Sequence, residues 1–285
     1  MDSADGLLPV ELERSIFELA AFLHPECALA LMMVAQRAQI WIKPFLFRTL
    51  TVDVRTPRPG FRRLSLGAAG NLVDSEPLAL RQHTRHLCFV DLHHTDSPRS
   101  VVEGLLSTCG STVDLTFIST TDRFWVPDRD VLQTLPLQRL SFCYESIYPV
   151  GHSIFRNANR SIYPLVTHFD LHNCNSSHFM TWKVLAQMPR LTHFSTPNVK
   201  SARASEFGQV LRVCKRLEVL VLRYGVQENL DKDQTYAQAI DDPRFVMLVV
   251  PDRVVDWEAG RRGGEDYWAR ASAIVEKRRS TVDGK

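Results

Sequence analysis

Leu137-Gln138-Arg139-Leu140-Ser141-Phe142, Val166-Thr167-His168-Phe169-Asp170-Leu171 and Leu217-Glu218-Val219-Leu220-Val221-Leu222 share one spacing. An apolar residue is followed by two others, an apolar residue, one other and a third apolar residue. The same spacing is read at Leu87-Val90-Leu92, at Leu115-Phe117 with Thr112 in the first position, at Leu191-Phe194 with Thr196 in the third, and at Phe245-Leu248-Val250. The first positions are then Leu87, Thr112, Leu137, Val166, Leu191, Leu217 and Phe245, separated by 25 to 29 residues. Seven occurrences at so narrow a spacing define a repeat. The stretches between them carry apolar residues at helical spacing: Val101, Val102, Leu105 and Leu106; Phe207, Val210, Leu211 and Cys214; less cleanly Phe179, Trp182, Leu185 and Ala186. Each unit is therefore a short strand followed by a helix, in an α/β protein. One such unit cannot bury its apolar face alone, and stacking its neighbours does so.

The period and spacing resemble leucine-rich repeats. That resemblance implies an irregular solenoid over residues 84–251, with parallel strands on a concave face and helices on the convex side. Cys174, three residues after an apolar third position, falls where that repeat class commonly has Asn or Cys. Residues 118–130 and 223–235 read as loopier insertions, and Leu64 and Leu66 as a candidate further unit. Alternation along a strand places Arg139, Ser141, His168, Asp170, His193, Ser195, Glu218 and Val221 opposite the apolar positions. They are the candidate target-binding residues, and their mixed chemistry fits a polar protein surface. On an open face, Arg139→Glu with His193→Glu would leave folding intact.

Ahead of the repeat, Pro9 suits the first turn of a helix, where its missing N–H costs nothing. Leu12, Ile16, Leu19, Ala20 and Leu23 then form one apolar stripe, with Glu11, Glu13, Arg14 and Glu18 on the wet side. Phe17 lies off that stripe, so the helix has two apolar faces. One packs within the module, and the other meets either the following domain or another protein. His24-Pro25 ends the helix. Residues 28–35 are apolar nearly all round and are expected to be mostly buried. A third segment carries Ile40, Trp41, Phe45 and Leu46, interrupted at Pro44. Residues 50–54 alternate like a strand.

Leu8-Pro9-Val10-Glu11-Leu12, followed after three residues by Ile16-Phe17, resembles the opening of the F-box, with Val34, Arg37 and Trp41 similar to its later part. Residues 1–48 are thus read as an F-box-like three-helix module and 49–83 as a first strand and linker. The resemblance implies docking onto the Skp adaptor, and through it a cullin–RING ubiquitin ligase. Leu8, Pro9, Leu12, Ile16 and Phe17 would then form the adaptor-facing surface. The basic stretch Arg55 to Arg63 is either a patch for an acidic partner or a solvated linker.

At the other end Tyr267, Trp268, Ala271, Ile274 and Val275 form a helix face, with acidic residues before it and Lys277, Arg278 and Arg279 at its end. Solenoids need terminal caps, so residues 252–285 are expected to form a C-terminal cap and tail. The order of module, irregular repeats and this tail resembles large families of fungal F-box and leucine-rich-repeat proteins.

The 285 residues carry 34 Lys and Arg against 32 Asp and Glu. A net charge of +2 argues against a dedicated nucleic-acid binder. No apolar run approaches the roughly 20 residues that span a bilayer, and residues 1–8 lack a secretory signal's basic and apolar regions. The chain is therefore expected in the cytoplasm or nucleus, with no membrane partner and with six unpaired cysteines. The sequons at Asn159 and Asn175 are then read as chance.

Chemistry is not apparent in the residue patterns. His83, His86, His93 and His94 lack metal-ligand spacing on a strand. Gly151-His152-Ser153-Ile154-Phe155 has Phe where a nucleophile elbow needs its second Gly. No phosphate-cradling glycine loop occurs, and Asp231, Asp233, Asp241 and Asp242 lack calcium-loop spacing. No cofactor or enzymatic activity is expected. Two readings remain: a substrate-recognition adaptor that tethers a target to the ligase, or an interaction scaffold whose N-terminal helices only cap the solenoid.

Overall fold

The computed structural model describes residues 8–53, 63–92, 99–119, 127, 129–143, 163–172, 185–198, 204–233 and 235–283. In chain order, α1 (Val10–Leu23), a 3-10 turn (Pro25–Cys27), α2 (Ala28–Met32) and α3 (Gln36–Arg48) precede β1 (Thr49–Asp53) and β2 (Arg63–Leu64). Then follow α4 (Leu66–Ser75), α5 (Pro77–His83), β3 (His86–Val90), α6 (Arg99–Thr108), β4 (Asp114–Ile118), α7 (Arg129–Gln133), β5 (Arg139–Cys143), β6 (His168–His172) and β7 (His193–Pro197). The chain continues through α8 (Ala204–Val213), β8 (Val219–Tyr224), α9 (Gln227–Lys232), α10 (Thr235–Ala239), β9 (Phe245–Val249), α11 (Arg253–Arg261) and α12 (Tyr267–Asp283).

The nine strands form one sheet in the order β2-β1-β3-β4-β5-β6-β7-β8-β9. Every neighbouring pair is parallel, and the sheet is not closed into a barrel. Parallel neighbours need a crossover between them, and α6 supplies it between β3 and β4, α7 between β4 and β5, and α8 between β7 and β8. The register aligns Leu50, Leu87, Leu115, Leu140, Phe169, Phe194, Leu220 and Phe245 side by side across the sheet. This row is buried throughout and packs with Val102 and Leu105 of α6 and with Phe207 and Val210 of α8. Phe89 stacks on Phe117 at 5.2 Å and Phe169 on Phe194 at 6.1 Å between ring centroids. A full set of like side chains in register gives each strand the same apolar neighbour on both sides, the geometry that makes cross-strand pairs stabilising.

The register corrects the sequence reading at both ends of the repeat. Leu87 and Phe245 align with the second apolar positions Leu115 and Leu220, not with the first. The first positions of those two strands are therefore Thr84, fully buried, and Asp242. Val90 and Leu248 point to the other face, where they meet Val254 and the Val219–Val246 cluster. The sheet also starts earlier than expected. β1 continues it through Leu50 and Val52 and β2 adds an outer strand, so residues 49–53 and 63–64 belong to it.

The N-terminal helices depart from expectation in two places. Residues 28–35 are not buried all round: α2 is only five residues long, and Leu29, Met33 and Val34 are exposed. Pro44 does not interrupt the third segment, since α3 runs through it to Arg48 and directly into β1. Of the expected insertions, residues 227–232 are helical as α9. The helix expected at Phe179 and Trp182, the basic stretch at 55–62, and Cys174, His93, His94, Asn159, Asn175 and Gly151–Phe155 lie outside the described residues. Cys27, Cys88, Cys109 and Cys214 are free thiols. No helix among the described residues is long and apolar enough to cross a membrane.

The C-terminal helices do not cap an end of the stack. They lie across the sheet on the face opposite α6 and α8. Asp252 starts α11 by accepting the backbone N–H groups of Val254 and Val255 at 3.0 and 3.1 Å, an N-cap. Val254 and Trp257 cover Cys88, Val90 and Ile118 on β3 and β4. Tyr267, Trp268, Ala271 and Val275 of α12 cover Val219, Val221, Val246 and Val250 toward the other edge. The physical reason is apolar content: these strands carry hydrophobic side chains on both faces, and the second face needs cover as much as the first.

Candidate functional site

Two surfaces carry the residues singled out from the sequence. The first is α1. Phe17 and Ala21 turn inward and pack with Ala28, Ala38 and Ile42, and the Phe17 ring lies 6.2 Å from that of Trp41. Arg37 reaches back to Glu13, donating from Nη2 at 2.8 Å and Nε at 3.1 Å. With one face so anchored, the helix turns the other to solvent. Leu8, Leu12, Ile16, Leu19 and Leu23 are each 53–59% exposed. At 100° per residue Leu12, Ile16, Leu19 and Leu23 fall within one narrow stripe, and Leu8 precedes the helix. Of the expected adaptor-facing residues, Leu8, Pro9, Leu12 and Ile16 are therefore exposed. Phe17 is half-buried against the module's own core and lies off the exposed stripe, where it holds the helix in place. Of the two apolar faces, the Leu12–Ile16–Leu19–Leu23 stripe is the one left outside.

The second surface is the sheet face beneath α11 and α12, and here the sequence expectation is overturned. Ser141, Asp170, Ser195 and Val221 are buried, and Arg139, His168 and His193 are half-buried against the C-terminal helices. Glu218 precedes β8 and is exposed, while Val219 takes its expected place on the face. The alternation is right for the other seven, but the face is occupied.

Asp170 is the centre of what occupies it. It accepts from Arg223 Nη2 at 2.8 Å, from Ser141 Oγ at 3.0 Å and from Arg253 of α11. Arg223 also donates from Nε to Ser195 Oγ at 2.6 Å, and its guanidinium sits 5.7 Å from the centre of the Tyr267 ring. Asp114 pairs with Arg261 at 2.8 Å and accepts from Trp257 Nε1 at 3.2 Å. Asp266 bridges Arg139 and Arg261, each at 3.1 Å. Glu258 takes a two-pronged contact from Arg63 at 3.0 and 3.1 Å, with Thr51 Oγ1 donating at 3.1 Å. The His168 and His193 rings stack at 4.0 Å, and Trp268 meets both edge-on at 5.3 and 5.6 Å.

Burial dominates the electrostatics. It pushes the Asp114 carboxyl up, against the pull of Arg261 and Arg139. It pushes the Arg253 guanidinium down, with Asp170 pulling back. It drives His168 to about 2 and His193 to about 4, so both imidazoles are neutral near neutral pH. A cavity of about 30 Å3 remains between these groups. That is room for a water or two and too little for an organic ligand.

Arg223, Arg253, Glu258 and Arg261 were not singled out from the sequence, and Trp257, read there as part of a turn-rich connection after Pro251, lies in a helix. The one local signal was Arg223, a charge directly after three apolar positions of a strand. Among the described residues no three His, Cys, Asp or Glu side chains group to hold a metal ion. Compared with models of known protein families and with curated proteins, the chain matches none.

Proposed function

We propose that the chain is a substrate-recognition subunit of an SCF-type ubiquitin ligase. The F-box-like helices dock the Skp adaptor, and the leucine-rich-repeat sheet and its surroundings recruit a target protein. Ubiquitin transfer then belongs to the partner enzymes. The observation that carries this reading is the outward row Leu8, Leu12, Ile16, Leu19 and Leu23. Contiguous exposed apolar surface marks an interaction site. Covering each half-exposed aliphatic side chain contributes on the order of 1 kcal/mol, so the row together supports a stable helical docking contact. The half-buried Phe17 and the Arg37–Glu13 pair keep that row rigid, which lowers the ordering cost of binding.

The alternative is a non-catalytic scaffold whose N-terminal helices only cap the sheet. The direct passage of α3 into β1 favours it, as does the Lys43–Glu76 pair at 2.9 Å, which ties α3 to the residue before α5. Capping uses α3, however, and leaves the α1 stripe without a role. Recovery of the Skp adaptor on the full chain separates the two. Wild type should capture it, and Leu12→Asp with Ile16→Asp should lose capture while circular dichroism stays unchanged, since both side chains are outside the core. Equal recovery by both proteins overturns the adaptor reading.

A further inference from the structure

We propose that the turn between α11 and α12 is a brace for the N-terminal module. Phe22 of α1 seats on Gly263, and this contact sets the direction in which the exposed row of α1 points relative to the sheet. The use of that row for docking rests on the reading above; the brace itself does not.

Phe22 stands off the exposed row. At 100° per residue it lies about a quarter turn from the row's centre and further from the Phe17 and Ala21 side. It is 37% exposed, whereas the other large apolar side chains that α1 turns outward are 49–59% exposed. Part of its cover comes from a distant part of the chain. A Cβ on Gly263 would fall 2.7 Å from Cζ of the Phe22 ring and 3.4 Å from Cε1, so the ring tip lies directly on the glycine. Gly263 follows the last turn of α11 with a φ of +80°, the left-handed cap that favours glycine. One residue thus ends the helix and leaves room for the ring.

The seat is fixed. Gly264 N–H donates to the Ala259 carbonyl at 3.0 Å and closes the turn. Asp256 of α11 accepts from Arg270 at 2.6 Å and from the Tyr267 N–H at 2.8 Å, tying α11 to α12. Arg261 with Asp114 and Glu258 with Arg63 hold α11 on the sheet. The module is held differently. It passes into the sheet through α3 and β1, and Leu46 and Phe47 in the last turn of α3 reach the sheet's core. Lys43 pairs with Glu76 ahead of α5, which packs through Ala79 and Leu80 on the same side of the sheet as α6. These contacts support the module on one face. Phe22 on Gly263 supports it on the other, where α11 and α12 lie. With that second support gone, the module rocks about the end of α3 and the row loses its fixed direction.

The test uses the full chain with nitroxide labels attached through azido residues in place of Glu11 and Glu276, exposed positions on α1 and α12. Double electron–electron resonance reads the distance between them. Wild type should give one narrow distribution, and Phe22→Ala and Gly263→Asn should each broaden it at least twofold. Asn tolerates a left-handed backbone, so the second variant sets a side chain against the ring tip and moves it aside while the turn persists. Unchanged width in both variants overturns the proposal. Should the variants not fold, the wild-type chain decides: nuclear Overhauser effects must join the Phe22 ring protons to the α-protons of Gly263, and their absence refutes the brace. Capture of the Skp adaptor by wild type is read separately. Failed capture with distances that still respond to Phe22→Ala leaves the brace standing and ends the docking reading alone.

Discussion

Asp170→Ala is the most demanding test of the covered face. The carboxylate is 4% exposed and takes hydrogen bonds from Arg223, Arg253 and Ser141. Removing it leaves two cations facing each other in a site that water barely reaches. The Arg223 side chain is 4% exposed and that of Arg253 16%. Breaking a buried pair in this way costs roughly 3–5 kcal/mol, because the remaining charge is uncompensated. Arg223 keeps Ser195 and the Leu171 carbonyl, so the lower half of that range is expected. For a chain of this size the melting temperature should fall by about 10 °C. Urea unfolding followed by circular dichroism gives the free energy. Adding Arg253→Met removes one orphaned cation and should restore at least half of the loss. If Asp170→Ala unfolds within about 1 kcal/mol of wild type, the carboxylate does not sit between two buried guanidiniums and the account of this face fails.

Phe194→Ala, in the middle of the aligned row, should cost roughly 3–5 kcal/mol in the same assay; a cost below 1 would contradict the register. Arg139→Glu with His193→Glu, harmless on an open face, should now destabilise strongly. It sets a carboxylate against Asp266 and removes the ring stacked on His168, so an unchanged melting temperature would mean the helices do not cover these residues. His168 and His193 are neutral when folded and take up protons on unfolding once pH falls below about 6.5. Stability conferred by keeping them neutral is therefore present above that pH and lost as pH falls toward 4, with a slope of up to ~1.4 kcal/mol per pH unit for each histidine. His168→Phe with His193→Phe should flatten the dependence between pH 6.5 and 4.5, and an identical slope in the variant would show that neither imidazole is held neutral.

Strand periodicity was readable because apolar residues recur where the sheet meets α6 and α8. It misled at β3 and β9 for a physical reason. Their opposite face is apolar too, at Val90 and Leu248, while the true first positions hold Thr84 and Asp242. The spacing rule therefore locked onto the wrong frame three residues along. On α1, a stripe at helical spacing looks the same whether it packs inward or faces water, and only the competing face of Phe17 and Ala21 decides. The helix face of residues 267–275 was legible, but its location was not. The contacts of Asp170 with Arg253, and of Arg63 with Glu258, join residues 83 and 195 positions apart, and such separations leave no mark on local pattern.

The Glu258 contacts to Thr51 and Arg63 have a consequence for how the chain acquires its structure. Stacked strand–helix units ordinarily touch only their neighbours and can form or fray piecemeal. Here the first strand waits for a side chain encoded some two hundred residues later. A nascent polypeptide lays down β1 to β9 in order, yet the face of that sheet stays unfinished until its final helices emerge. Loop-closure entropy makes such late, distant contacts slow to form. Stalled synthesis or a premature stop after residue 251 would leave a full set of strands with valines and unpaired carboxylates in water, a species suited to chaperone capture.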